Sequence, residues 1–173
     1  ALGARGAAFA EPLAGRLLDD SWYVRRAAAH ALGAMGPAAA PHTEGLLQAA
    51  LHDIDDDVRR AAVEAFASQG DFGAAHVQEI AGLTSDKKRV VRCAAAVALG
   101  VFGKASAPHL SHLRELLRDG DHRVRLAAAT GYSKLPRAVL QPEDLQVIEQ
   151  QEMRDTSDAV RALLASTRKA WER

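Results

Sequence analysis

The sequence predicts an all-α fold, an α-α superhelix (solenoid) of about five stacked helix pairs. Three observations carry this: a segment that recurs five times, a 3.6-residue apolar period inside each copy, and a helix-ending residue after most copies.

The recurring segment aligns without gaps at residues 24–36, 58–70, 91–103, 124–136 and 160–172, and its first copy reads VRRAAAHALGAMG. The leading valines are Val24, Val58, Val91, Val124 and Val160, spaced by 34, 33, 33 and 36 residues. A period of this size marks a stack of helix pairs, none of which can bury its apolar face alone.

With the valine as position 0, apolar residues fall at 0, +3, +4, +7, +8 and +11, for example Val24, Ala27, Ala28, Ala31, Leu32 and Met35. That is a wide helical stripe. Gly36, Gly70 and Gly103 end three copies, as glycine suits the left-handed position past a helix. Pro136 ends the fourth. Aspartates precede every valine, where they cap free backbone N–H groups and favour the positive end of the helix dipole.

A second amphipathic segment lies before each copy. The spacing predicts helices over about Phe9–Leu18, Pro41–Leu51, Ala75–Leu83, Pro108–Leu117 and Pro142–Met153. One domain over 1–173 is expected, with pairs at about 8–36, 37–70, 71–103, 104–136 and 137–173. An alanine-rich chain with 5% aromatics suits closely approaching helices.

Lys and Arg total 22, and Asp and Glu total 22, which disfavours nucleic acid as a partner. The charges are segregated, however: residues 1–86 carry net −6 and residues 87–173 net +6. The basic half suits an acidic partner, although uneven solvated faces would give the same pattern. A lone cysteine, Cys93, allows no internal disulfide. No apolar run approaches the roughly 18–20 residues of a membrane span, so a soluble chain without membrane insertion is expected, cytoplasmic before organellar. No signal peptide is visible in Ala1–Ala10, and the lack of an initiating Met suggests a processed chain or part of a larger protein.

The pattern Leu-x-Asp, a short gap, then Val-Arg-x-Ala-Ala-x-x-Ala-Leu-Gly-x-x-Gly resembles HEAT repeats, particularly the short kind found in bilin-lyase-type HEAT-like proteins. The resemblance covers about residues 8–172. The fifth copy departs from it with Thr167, Arg168 and Lys169, as a C-terminal cap or a cut end would. The resemblance implies a structural ladder between Arg25, Arg59, Arg92, Arg125 and Arg161 and turn aspartates, here matched to Asp20, Asp55 or Asp56, Asp86 and Asp121.

It also implies that the second helices line the concave face. Positions +2, +6 and +9 should point outward there. The candidate partner-binding stripe is Arg26, His30, Arg60, Glu64, Cys93, Val97, Leu126 and Thr130, with Gly33, Ala67, Gly100 and Ser133 at +9. Cys93, Val97 and Leu126 place apolar groups where solvent is expected. Either a partner covers them or tight curvature buries them.

No catalytic residue, cofactor or metal is expected. His42, His76 and His109 recur at one repeat position, so about 10 Å separates neighbours, too far for shared metal ligation. None of the seven histidines precedes a Glu, unlike the His-Glu pairs of HEAT-like di-iron hydroxylases. No phosphate loop, nucleophile elbow or HExxH occurs. The expected function is a non-catalytic protein-binding scaffold or complex subunit that holds a helix or extended segment of another protein. The alternatives are a bilin lyase or chromophore chaperone and, behind it, a nucleic-acid binder using Lys87, Lys88, Arg89, Arg114, Arg118 and Arg123.

Overall fold

The computed structural model describes residues 3–172, with side chains from Phe9 onward. The described residues form α-helices and short 3-10 turns, with no strand among them. The first helices are α1 (Gly3–Gly15), α3 (Thr43–His52), α5 with α6 (Asp71–Ala74 and Val77–Gly82), α8 (Leu110–Leu116) and α10 (Pro142–Arg154). The second helices are α2 (Trp22–Met35), α4 (Asp56–Ser68), α7 (Arg89–Val101), α9 (His122–Lys134) and α11 (Asp158–Trp171).

The second helices follow the recurring segment closely, because capping and stop signals bracket it. Asp55 accepts hydrogen bonds from the backbone N–H groups of Asp57 (2.9 Å) and Val58 (3.1 Å) at the start of α4. Asp121 does the same for Arg123 (2.8 Å) in α9. Gly36, Gly70 and Gly103 turn the chain at φ near +60°, a conformation that a Cβ would strain.

The first helices depart more from the periodicity. α1 starts at Gly3, and Arg16–Leu18, expected as α-helix, is a 3-10 turn. Pro41 and Pro108 sit inside the 3-10 stretches Gly36–His42 and Gly103–His109, and α3 and α8 begin after them. Proline lacks the N–H that an α-helix interior requires, so these segments tighten before they become α-helical.

Consecutive second helices pack along one another, whereas consecutive first helices scarcely touch. The layer of second helices is therefore the tighter, concave side. Small residues permit that spacing. A Cβ on Gly33 would lie 2.9 Å from the Cα of Ala65, and one on Gly100 would lie 2.6 Å from the Cα of Gly131. Gly33 and Gly100 are accordingly buried between helices and do not point outward as their +9 positions suggested.

Leu32, Leu46, Val58, Phe66 and Ile80 fill a core beneath the first three pairs, and Leu99, Leu110, Leu113, Tyr132 and Ile148 fill one beneath the last three. Each such side chain contributes about 1.5–3 kcal/mol when fully buried. Within the second core, Asp144 is wholly buried. It accepts hydrogen bonds from the Tyr132 hydroxyl (2.9 Å), Arg114 Nη1 (2.7 Å) and the backbone N–H of Gln141 (2.7 Å). Burial, then the Asp144 charge, pushes the Tyr132 phenol far above its ordinary value.

Candidate protein-binding face

The geometry of the face begins with the ladder that sets its spacing. Arg25 donates through Nε and Nη2 to Asp53 (2.7 and 2.8 Å), Arg59 to Asp86 (3.0 and 3.1 Å), Arg92 to Asp119 (2.9 and 3.3 Å) and Arg125 to Asp155 (2.7 and 2.9 Å). The remaining nitrogen of each Arg, Nη1, donates to the carbonyl of the aspartate in its own turn, as Arg59 does to Asp53 at 2.8 Å. Each rung thus ties one turn to the next.

The receiving aspartates all lie at position −5: Asp53, Asp86, Asp119 and Asp155. Of the residues matched from the sequence, only Asp86 receives an arginine of the ladder. Asp55 and Asp121 cap helices instead, because a side chain just before the helix faces its free N–H groups. Each −5 carboxylate also accepts the N–H two residues on, which fixes its rotamer. Burial alone would raise the Asp53, Asp86 and Asp155 carboxyls. The arginine and backbone N–H bonds outweigh it and hold all three below the usual range. Among the described residues Arg161 meets no −5 aspartate of a further turn; it bonds the Asp155 carbonyl (2.5 Å) and Asp158.

On the concave side, α4 and α7 enclose a cleft of about 430 Å³. Arg60, Glu64, Cys93 and Val97 line it, together with Val90, Arg89 and Arg123. Cys93, Val97 and Leu126 are half-buried against the second core, so curvature covers part of each. Arg60 is clamped by Asp57 (3.3 Å) and Glu64 (2.8 Å), and His30 Nδ1 lies 4.0 Å from Glu64. Arg89 lies 3.6 Å from Asp121, whereas Arg123 makes no ion pair among the described residues. Burial, and then Asp121, raises the Cys93 thiol above its ordinary value.

The other stripe residues stand apart from the cleft. Arg26 rests over the stacked rings of Trp22 and Tyr23, 5.2 Å from the nearer centroid. The Thr130 hydroxyl donates to the Leu126 carbonyl (2.8 Å). The stripe read from the sequence began at +2 and so left out Val90, Arg89 and Arg123, the two arginines being placed instead among the basic residues of the nucleic-acid alternative. Position −1, three residues earlier, shares that helical face and would have found Val90 and Arg123.

Among the described residues, no three His, Cys, Asp or Glu converge as metal ligands would. His112 Nδ1 pairs with the Thr84 hydroxyl (3.0 Å), and His76 packs edge-on against Phe66. No helix among the described residues is long and apolar enough to cross a membrane.

Comparison with curated protein sequences found no match. Solved structures do match. One is the complex of CpcE and CpcF of phycocyanin lyase from Nostoc sp. PCC7120, at TM-score 0.72 and 22% identity, covering 93% of this chain and 98% of that one. YibA of Escherichia coli aligns at TM-score 0.75 and 25% identity, over 94% of this chain and 60% of YibA. An engineered protein aligns at 0.70 and 19%, over 94% and 78%. Residues 1–67, 43–133 and 80–168 each match the family described as HEAT repeats. With five Val-Arg helices stacked on a continuous Arg–Asp ladder, the chain belongs to the HEAT-repeat family.

Proposed function

We propose that the protein is a non-catalytic scaffold that holds a segment of another protein in the concave cleft between α4 and α7. The observation that carries this reading is the cleft's make-up, a mainly apolar lining that includes Val90, Cys93 and Val97, with Arg60, Glu64, Arg89 and Arg123 also on its walls. Apolar surface that stays open on a rigid face favours a docked side chain. Arg123, which makes no ion pair among the described residues, favours a carboxylate beside it. A helix or extended segment with one large apolar residue flanked by Asp or Glu fits both demands. Leu126, one helix further on, extends the apolar strip.

Affinity purification from the source cells, read by mass spectrometry, tests this with a paired variant. The native chain should recover a partner that Val97→Asp/Leu126→Asp loses, with far-UV circular dichroism unchanged. A partner retained by the double variant would sink the proposal.

A second reading is chromophore handling. It rests on the likeness to the phycocyanin lyase complex, which spans nearly the whole of that chain. Adding a bilin and following its visible absorbance tests it. A shifted band that Val97→Asp abolishes would favour that reading over a peptide partner.

A further inference from the structure

The turns at one edge of the solenoid carry a second surface. The ladder aspartate at −5 is common to all five turns, and its neighbours at −6 and −4 are exposed in every turn. The −4 carbonyls of the first four turns and the Thr156 hydroxyl accept from ladder arginines, but the other −4 side chains and all those at −6 take no part in the rungs. Along the stack the −6 row reads Leu18, His52, Ser85, Arg118, Arg154. The −4 row reads Asp20, Ile54, Lys87, Gly120, Thr156. The edge therefore runs from aliphatic and acidic at its first two turns to cationic at its last two.

The extremes are pronounced. Leu18 is 87% and Ile54 93% exposed, the two most exposed large apolar side chains among the described residues. They border a groove of about 680 Å³ that also takes in Asp19 and Asp20. Arg118 and Arg154 border a polar groove of about 310 Å³ at the other end. Among the described residues, neither Arg118, Arg154 nor Asp20 has an ion-pair partner.

We propose that two copies of the chain pair antiparallel along this edge, about a two-fold axis at the third turn. Such an axis exchanges the first turn with the fifth and the second with the fourth. Arg154 of one copy then meets Leu18 and Asp20 of the other, its stem over the leucine and its charge on the carboxylate. Ile54 meets Gly120, the one −4 position without a side chain, beside the stem of Arg118. Both ends are satisfied at once, and the opposite charges of the two halves of the chain steer the pair into register. The concave cleft lies on a different face, so each copy keeps it open.

Sedimentation velocity on the intact chain tests the pairing. A dimer is expected at about 50 mM salt, with its Kd rising at least about tenfold at about 500 mM. Arg118→Asp/Arg154→Asp should be monomeric, as should Ile54→Asp, each with native helicity. Asp20→Arg/Arg154→Asp, which reverses both members of the terminal charge pair and leaves Arg118 and Ile54 in place, should dimerise. Val97→Asp/Leu126→Asp should dimerise normally, which separates this surface from the cleft. A chain that stays monomeric at low salt at every concentration overturns the proposal. So does a dimer indifferent to the charge reversal and to Ile54→Asp, or an Asp20→Arg/Arg154→Asp variant that stays monomeric.

Discussion

Arg125 and Asp155 meet as a two-bond fork, 2.7 Å from Nε to Oδ2 and 2.9 Å from Nη2 to Oδ1, with the carboxylate sealed from solvent. Removing one member strands the other in a buried site. Asp155→Ala should therefore cost about 3–5 kcal/mol in urea unfolding. Arg125→Lys should cost about 1–3 kcal/mol, because an ammonium cannot span both oxygens. Arg161→Ala, which removes only bonds within its own turn, should cost less than about 1 kcal/mol. Equal losses at Arg125 and Arg161 would refute the ladder's role in joining turns.

Acid should unfasten the same rungs. Asp53, Asp86 and Asp155 ionise more readily folded than unfolded. Their contribution is present above the unfolded carboxyl value of about 4 and is lost as pH falls through the lower folded values. Thermal melts should be nearly flat from about pH 7 to 5 and fall steeply below about pH 4. Asp53→Asn should lower the melting temperature at neutral pH and flatten the acid limb. An unchanged acid limb would assign the transition to other groups.

Gly100→Ala tests the helix spacing. The added methyl would overlap the backbone of Gly131, and backbone has nowhere to go without separating α7 from α9. A loss of about 1–3 kcal/mol is expected. Gly82→Ala, in open space at the end of α6, should be neutral or slightly stabilising.

Tyr132→Phe removes one of three hydrogen bonds to the buried Asp144 carboxylate and leaves its volume filled. Chemical denaturation should show a loss of about 1–3 kcal/mol. No loss would mean that Arg114 and the Gln141 N–H satisfy the carboxylate by themselves.

The Cys93 thiol, raised by burial and by Asp121, should react with a disulfide reagent several-fold more slowly than free cysteine at about pH 8. Faster reaction would identify an activated thiol and contradict a purely packing role.

The second helices were legible in the sequence because cap, apolar stripe and stop residue coincide in each copy. The first helices were less so. Pro41 and Pro108 mark a helix start equally well whether the next residues are α or 3-10, and local sequence does not decide between them. The ladder arginines were legible from their recurrence after the valine. Their partners were not, since Asp53, Asp55, Asp56 and Asp57 crowd one turn and only geometry separates the rung from the cap. In the cleft, Cys93 and Val97 stood out as apolar residues on a polar face. Arg89 and Arg123 stood out only as members of a basic run suited to nucleic acid, and the structure places them around the same opening as Cys93 and Val97.

α7 is a wall shared by two rooms. Val91, Ala95 and Ala98 close the first core, while Ala96 and Leu99 close the second. A load placed on this helix presses on both cores, whereas one placed on α2 or α11 presses on a single core. A guest seated in the cleft leans directly on that shared wall, so its arrival should quieten amide exchange toward both ends of the molecule. The middle of the stack is thus its mechanical keystone.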